Sequence, residues 1–104
     1  MTYKTLYELL QTLNIPVAYD HFDTDKGINP PFVVYRAVAP DTFKADSQTF
    51  YRPMNYEIEL VTDKKNPTLE QTIEDLLTTN NIPYDISPEI WDEDERIYHN
   101  FFEI

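Results

Sequence analysis

The sequence has no cysteine and a single glycine, Gly27, among its 104 residues. Without cysteine the chain can form neither disulfides nor thiolate metal sites. With one glycine it cannot form the glycine-rich loops that bind phosphate groups. No hydrophobic run approaches the roughly 20 residues that a membrane-spanning helix needs. The N-terminal stretch MTYKTLYELL is amphipathic and unlike a signal peptide, so we expect a protein that folds in the cytosol.

Basic residues are also few, because 8 lysines and arginines stand against 19 acids, for a formal net charge of −11. Such a charge repels phosphate backbones and anionic lipids, which argues against sequence-specific nucleic-acid binding and against membrane binding. The acids alternate with aromatic residues and leucines, and 41% of the residues are hydrophobic. That composition can bury a core, so we predict one globular domain over residues 1–104.

Leucine spacing predicts two helices. In the second helix, Asn66 is placed to be the N-cap, Pro67 suits the first helical position, and Thr68 to Gln71 have capping-box spacing. Both helices are followed by Asn-Ile-Pro, at 14–16 and 81–83, which predicts the end of a helix and entry into a strand. The two apolar stripes consist of Leu6, Leu9, Leu10 and Leu13, and of Leu69, Ile73, Leu76 and Leu77.

Alternating or continuous β-prone runs predict the strands. The predicted strands are Val17–Phe22, Phe32–Val38, Met54–Val61, Tyr84–Ile86 and Arg96–Ile104. The stretch SPEIWDEDE between the last two is predicted as a turn. We therefore expect an α+β fold in the order α-β-β-β-α-β-β, with two helices on one face of a mainly antiparallel sheet of four to five strands.

A metal site is the first chemical alternative. Asp20, His21, Asp23 and Asp25 form a polar cluster that begins like a calcium-binding loop. Gly27 stands where a third oxygen ligand should be, and no glutamate follows at the required distance. A solvated acidic loop is therefore favoured, with a metal hydrolase built on Asp20, His21 and Asp23 as the alternative.

Catalysis without a metal has little support. His21 and His99 would form a general-base pair only if the first and last strands were neighbours. The two serines, Ser47 and Ser87, do not lie in a nucleophile elbow. We predict that the protein is not an enzyme and that it uses no cofactor or metal.

The best candidate for a binding element is the connection Asp41–Pro53. It is long for a hairpin loop, and long ordered loops in small domains often bind partners. Its aromatic side chains must fold back on the sheet or be covered by another chain. Trp91, beside four consecutive acids, is either the aromatic anchor of an acidic docking patch or a tryptophan that caps the core from a solvated turn. The candidate interface residues of the connection are Phe43, Lys44, Asp46, Phe50, Tyr51 and Arg52.

From Phe43 onward the chain resembles a known family. The pattern runs FKADS, NYEIELVTDKK, a helix of the form LExxIEDLL, NIPY and finally ERIYHNFFEI. It is similar to the small tail-completion or tail-terminator proteins at the head–tail junction of long-tailed phages and prophages of Gram-positive bacteria. The resemblance covers about Phe43 to Ile104, and the N-terminal helix and strand are compatible with it.

The resemblance implies a structural virion protein with helices packed on a sheet. It would form a hexameric ring that caps the tail tube and joins it to the head. Its partners would be copies of itself, the tail-tube protein and the head–tail connector proteins, in the host cytoplasm during assembly and in the virion afterwards. The Asp41–Pro53 connection would then contact the tube or a neighbouring subunit, and Lys44, Lys64 and Lys65 would meet acids on the adjacent subunit. The alternatives are a neck or head-completion protein that binds the portal or adaptor ring, and an acidic DNA mimic that inhibits a nucleic-acid-binding enzyme.

Overall fold

The computed structural model describes residues 3–22, 28–38 and 55–104. In this part of the chain the fold is α+β, with two helices and one mixed six-stranded sheet. Neither helix is long and apolar enough to span a membrane, as far as the described residues show. The elements are α1 (Tyr3–Gln11), β1 (Val17–Tyr19), β2 (Phe32–Val38), β3 (Asn55–Thr62), α2 (Pro67–Thr79), β4 (Asp85–Ile86), β5 (Ile90–Asp92) and β6 (Ile97–Glu103).

Helix α2 begins as the sequence predicts. The Oδ1 atom of Asn66 accepts a hydrogen bond from the backbone N–H of Leu69 at 3.1 Å, and Pro67 is the first helical residue. The prediction of a capping box at Thr68 and Gln71 is wrong. Because Asn66 is the N-cap, Thr68 already lies inside the first turn, and the Gln71 amide donates to Asp75 instead.

The two Asn-Ile-Pro segments end their helices in the same way. Asn14 and Asn81 both have positive φ values, 61° and 58°. A left-handed residue just past a helix lets the following N–H groups bond back to the last carbonyls, and asparagine tolerates this conformation better than most residues. The Ile82 N–H accordingly donates to the Leu77 carbonyl at 2.9 Å. The predicted role of these segments as helix ends is confirmed.

The sheet has the strand order β1-β2-β3-β6-β4, and β5 also pairs with β6. Strands β1 and β2 are parallel, whereas the other pairs are antiparallel. Both β4 and β5 lie along the outer edge of β6, opposite its other neighbour β3. Within the described sheet, β1 therefore lies at one edge, and β4 and β5 share the other.

Two strand predictions need correction. The sheet has six strands instead of four to five, because Ile90–Asp92 pairs with Ile97–His99 where a turn was predicted. The resulting order is α-β-β-β-α-β-β-β. Strand β1 ends at Tyr19 and does not continue to Phe22, because Asp20 adopts a φ of 68° that turns the chain out of the extended conformation.

Both helices pack against the same face of the sheet. The strand register places Val33, Tyr35, Ile58 and Phe102 on this helix-covered face, since directly paired residues point the same way. The buried core cluster joins these strands to both helices and consists of Leu6, Leu10, Val33, Tyr35, Tyr56, Ile58, Leu60, Ile73, Leu77 and Phe102. The opposite face, here called the open face, carries no helix of the described chain.

Candidate functional site

Exposed apolar side chains lie at both edges of the sheet. Among the described residues, the large hydrophobic side chains that remain exposed divide into two groups. The β1 edge, formed by α1 and β1, carries Tyr7 and Tyr19, which are 38% and 46% exposed. The β4/β5 edge carries Ile86 and Trp91, 54% and 39% exposed, on the helix-covered side, while Ile90, 52% exposed, points to the open-face side. The subunit thus presents two different apolar patches on opposite sides.

The patch at the β1 edge is a tyrosine cluster. Tyr35 lies between the other two rings, with centroid distances of 6.3 Å to Tyr7 and 5.2 Å to Tyr19. Together with Lys4 these rings line a mainly apolar depression of about 550 Å³. Tyrosines suit such a position because the ring contributes apolar contact area while the hydroxyl tolerates water.

The patch at the β4/β5 edge is centred on Trp91. Its ring stacks at a tilt on Tyr98, with centroids 4.6 Å apart, and the Arg96 guanidinium lies 5.9 Å from the indole. The indole Nε1–H donates to Glu93 at 2.7 Å. Trp91 is therefore held in one orientation although it is exposed, which is the state of a preorganised aromatic anchor.

The turn after Trp91 is also fixed. One carboxylate oxygen of Asp92 accepts hydrogen bonds from the backbone N–H groups of Asp94 and Glu95, at 3.0 and 3.1 Å. Arg96 completes the turn with a φ of 58°. Trp91 lies on a strand and outside the core cluster, so the prediction of a core-capping tryptophan in a turn is wrong.

A second polar feature, the Arg36 network, crosses the open face. Arg36 donates to Glu57 at 2.7 Å and to Glu59 at 3.2 Å, and its Nε lies 3.8 Å from Asp20. On the far side of Glu59, the Nδ1 atom of His99 is 2.5 Å from the other carboxylate oxygen. Burial lowers the pKa of the Arg36 guanidinium, but the hydrogen bonds and charges of Glu57 and Glu59 outweigh it and raise the pKa above its ordinary value.

The Arg36 network borders an open depression of about 640 Å³. Its most deeply buried lining residues are Val34 and Val61, while Phe22 and Phe32 meet edge to face at 5.2 Å on one wall. Six further residues line this open-face depression and carry charged or titratable groups: Asp20, His21, Arg36, Glu59, Glu95 and His99.

The predicted interface residues have different outcomes. Phe43, Lys44, Asp46, Phe50, Tyr51 and Arg52 lie outside the described residues. Lys65 pairs within its own chain, with Glu70 at 2.9 Å and Glu89 at 2.6 Å. The hydrogen bonds to Glu89 and then Glu70 raise the pKa of Lys65. Lys64 is exposed and has no such carboxylate among the described side chains, so its contact with an adjacent subunit stays a prediction.

The two histidines line one depression although β1, which ends two residues before His21, is not a neighbour of β6, which carries His99. β2 and β3 separate β1 from β6, and yet His21 and His99 both border the open-face depression. Each is bonded to a carboxylate, His21 to Asp20 at 2.8 Å and His99 to Glu59. The depression is lined by no serine, threonine or cysteine of the described chain.

The metal alternative finds no ligand set in the described residues, where no group of three or more histidine, aspartate or glutamate side chains is placed to hold an ion. Asp23 and Asp25 of the predicted acidic cluster lie outside the described residues.

In comparisons with known proteins, no protein-family model, no curated protein and no solved structure matches the chain.

Sequence reasoning did not find the Arg36 network or the tyrosine patch. An arginine inside the apolar run FVVYRAV was one available signal, because a charge in a buried strand needs partners on the adjacent strand. The outward glutamates of YEIEL were those partners, but only the β2–β3 register brings Arg36 opposite Glu57. Tyr7 lies off the leucine stripe of α1, which was the signal for an exposed aromatic residue.

Proposed function

We propose that the protein is a tail terminator, a ring-forming component of the head–tail junction of a long-tailed phage or prophage. The observation that carries the proposal is the pair of dissimilar apolar patches on opposite sheet edges. A head-to-tail ring needs two different surfaces on each subunit, whereas a two-fold dimer needs one self-complementary surface. The tyrosine patch and the Trp91 patch meet this requirement.

The charges at the two edges also support head-to-tail contact. Lys4 lies beside the tyrosine patch, and the rigid turn that follows Trp91 carries Asp92, Glu93, Asp94 and Glu95. Placing one edge against the other brings the lysine toward the acids. Opposite charges across an interface favour one orientation and penalise like-with-like pairing. This matters for a subunit with a net charge of −11, which otherwise repels its copies.

The ring would cap the tail tube, stop its growth and join it to the head connector. The portal-side alternative uses the same ring and differs only in the partner. The DNA-mimic alternative needs a regular row of available carboxylates on one exposed face. On the open face, Glu57 and Glu59 are instead both bonded to Arg36 and do not form such a row.

The test is electron microscopy of the cognate tail-tube protein as it polymerises with and without this protein. A terminator shortens the tubes and adds a ring of density at one end. The variant Trp91→Ala should leave the tubes at their uncapped length, while Asp63→Asn, at an exposed position outside both patches, serves as a folded surface control. Tubes of unchanged length in the presence of the wild-type protein would contradict the proposal and direct the search to the portal ring.

A further inference from the structure

We propose that the open-face depression binds a basic segment of a partner protein, in which lysine or arginine side chains flank an apolar one. The depression lies on the open face, and it shares Glu95 with the acidic turn of the β4/β5 edge. Its volume of about 640 Å³ lies within the range of ordinary ligand pockets. The depression combines an apolar floor with an acidic rim, and both parts contribute to the choice of occupant.

The floor provides apolar contact. Val34 and Val61 lie at its base, and the Phe22–Phe32 pair and Ile97 stand around them. An apolar side chain seated there would remove itself and the surrounding rings from water, which is the main favourable contribution in such sites. A purely ionic ligand would leave this surface unused.

The rim selects for positive charge. Asp20, Glu59 and Glu95 line the depression, and Arg36 is the one guanidinium among the described lining residues. Arg36 is already held by Glu57 and Glu59, which shows that carboxylates of this face accept a guanidinium at hydrogen-bonding distance. No cation lies within ion-pair distance of the Glu95 carboxylate among the described residues, so an incoming lysine or arginine has an available partner there.

The chain offers a matched pair of variants for the test. Glu95 and its neighbour Asp94 occupy the same exposed turn, and both supply a backbone N–H to Asp92 that substitution of the side chain leaves in place. Only Glu95 lines the depression. Glu95→Gln and Asp94→Asn therefore remove the same charge from adjacent positions, one inside and one outside the proposed site.

Two synthetic peptides serve as probes, acetyl-Lys-Leu-Lys-Leu-Lys-amide and its serine analogue acetyl-Lys-Ser-Lys-Ser-Lys-amide. Binding is followed by NMR titration of the labelled protein. We expect the leucine peptide to shift resonances of Phe22, Ile97 and His99 and to bind at least about fivefold more tightly than the serine peptide. Glu95→Gln should weaken binding about threefold, and Asp94→Asn should leave it unchanged.

Three outcomes would overturn the proposal. Equal affinity of the two peptides would mean that attraction by the overall negative charge explains binding. Equal weakening of binding by Glu95→Gln and Asp94→Asn would also mean that the overall negative charge, and not the depression, attracts the peptide. Absent shifts, or shifts confined to the sheet edges, would show that the open-face depression is not a site for basic segments.

Discussion

His99 on β6 and Glu59 on β3 form a close side-chain pair across the open face, with the histidine Nδ1 2.5 Å from the carboxylate Oε2. The same carboxylate receives Arg36 through its other oxygen. Glu59 therefore joins three strands, and its side chain is only 14% exposed. A charged hydrogen-bond acceptor this well shielded from water contributes to folding as well as to the shape of the surface.

We predict that Glu59→Gln lowers the free energy of unfolding by about 1–2 kcal/mol, because it weakens the hydrogen bonds of this side chain to Arg36 and His99. The measurement is urea denaturation. Glu103→Gln is the control on the same face. Glu103 stands directly opposite Glu57, and like charges in that position destabilise a sheet, so its removal should be neutral or slightly stabilising. Equal losses for both variants would contradict the assignment.

A second prediction concerns Lys65, which ties the start of α2 to the β4–β5 connection through Glu70 and Glu89. The side chain is 45% exposed, so solvent screens the pair, and Lys65→Gln should cost only about 0.5–1 kcal/mol in free energy of unfolding at neutral pH. Lys64→Gln removes the same charge one residue away and should cost almost nothing.

The pH dependence of this pair follows from the raised pKa of Lys65. A lysine whose pKa is higher in the folded state stabilises the fold fully below its ordinary value of 10.5 and loses that contribution as the pH rises through the raised value. The difference between wild type and Lys65→Gln should therefore vanish at strongly alkaline pH, as measured by denaturation at neutral and alkaline pH. A difference that persists there would show that packing, not the ion pairs, is responsible.

The third prediction concerns the left-handed asparagines at the helix ends. Asn14→Gly and Asn81→Gly should retain full stability, since glycine adopts positive φ without cost. Asn14→Ala and Asn81→Ala should each lower the free energy of unfolding by about 1 kcal/mol, because a Cβ without a compensating polar group disfavours that conformation. Thermal unfolding of the four variants checks the prediction, and equal melting temperatures for the glycine and alanine forms would refute it.

Local signals predicted the helices well because each depends on residues a few positions apart. The Asn66 cap, Pro67 and the Asn-Ile-Pro ends are all of this kind. Strand pairing is harder to predict from the sequence, because Ile90–Asp92 becomes a strand only through contact with β6. The Arg36 network and the open-face depression likewise arise from register across β2, β3 and β6, which no local pattern encodes.

The central claim is that the β1 edge of one subunit meets the β4/β5 edge of the next, and cysteine cross-linking tests it most directly. The chain has no cysteine, so introduced thiols are unique. The variants are Tyr19→Cys, Ile90→Cys and the double variant, each treated with a bismaleimide in the presence of the cognate tail-tube protein. Head-to-tail assembly predicts a ladder of cross-linked species up to the closed ring for the double variant and only monomers for each single variant. Cross-linked dimers from either single variant, or no ladder from the double variant, would contradict the account.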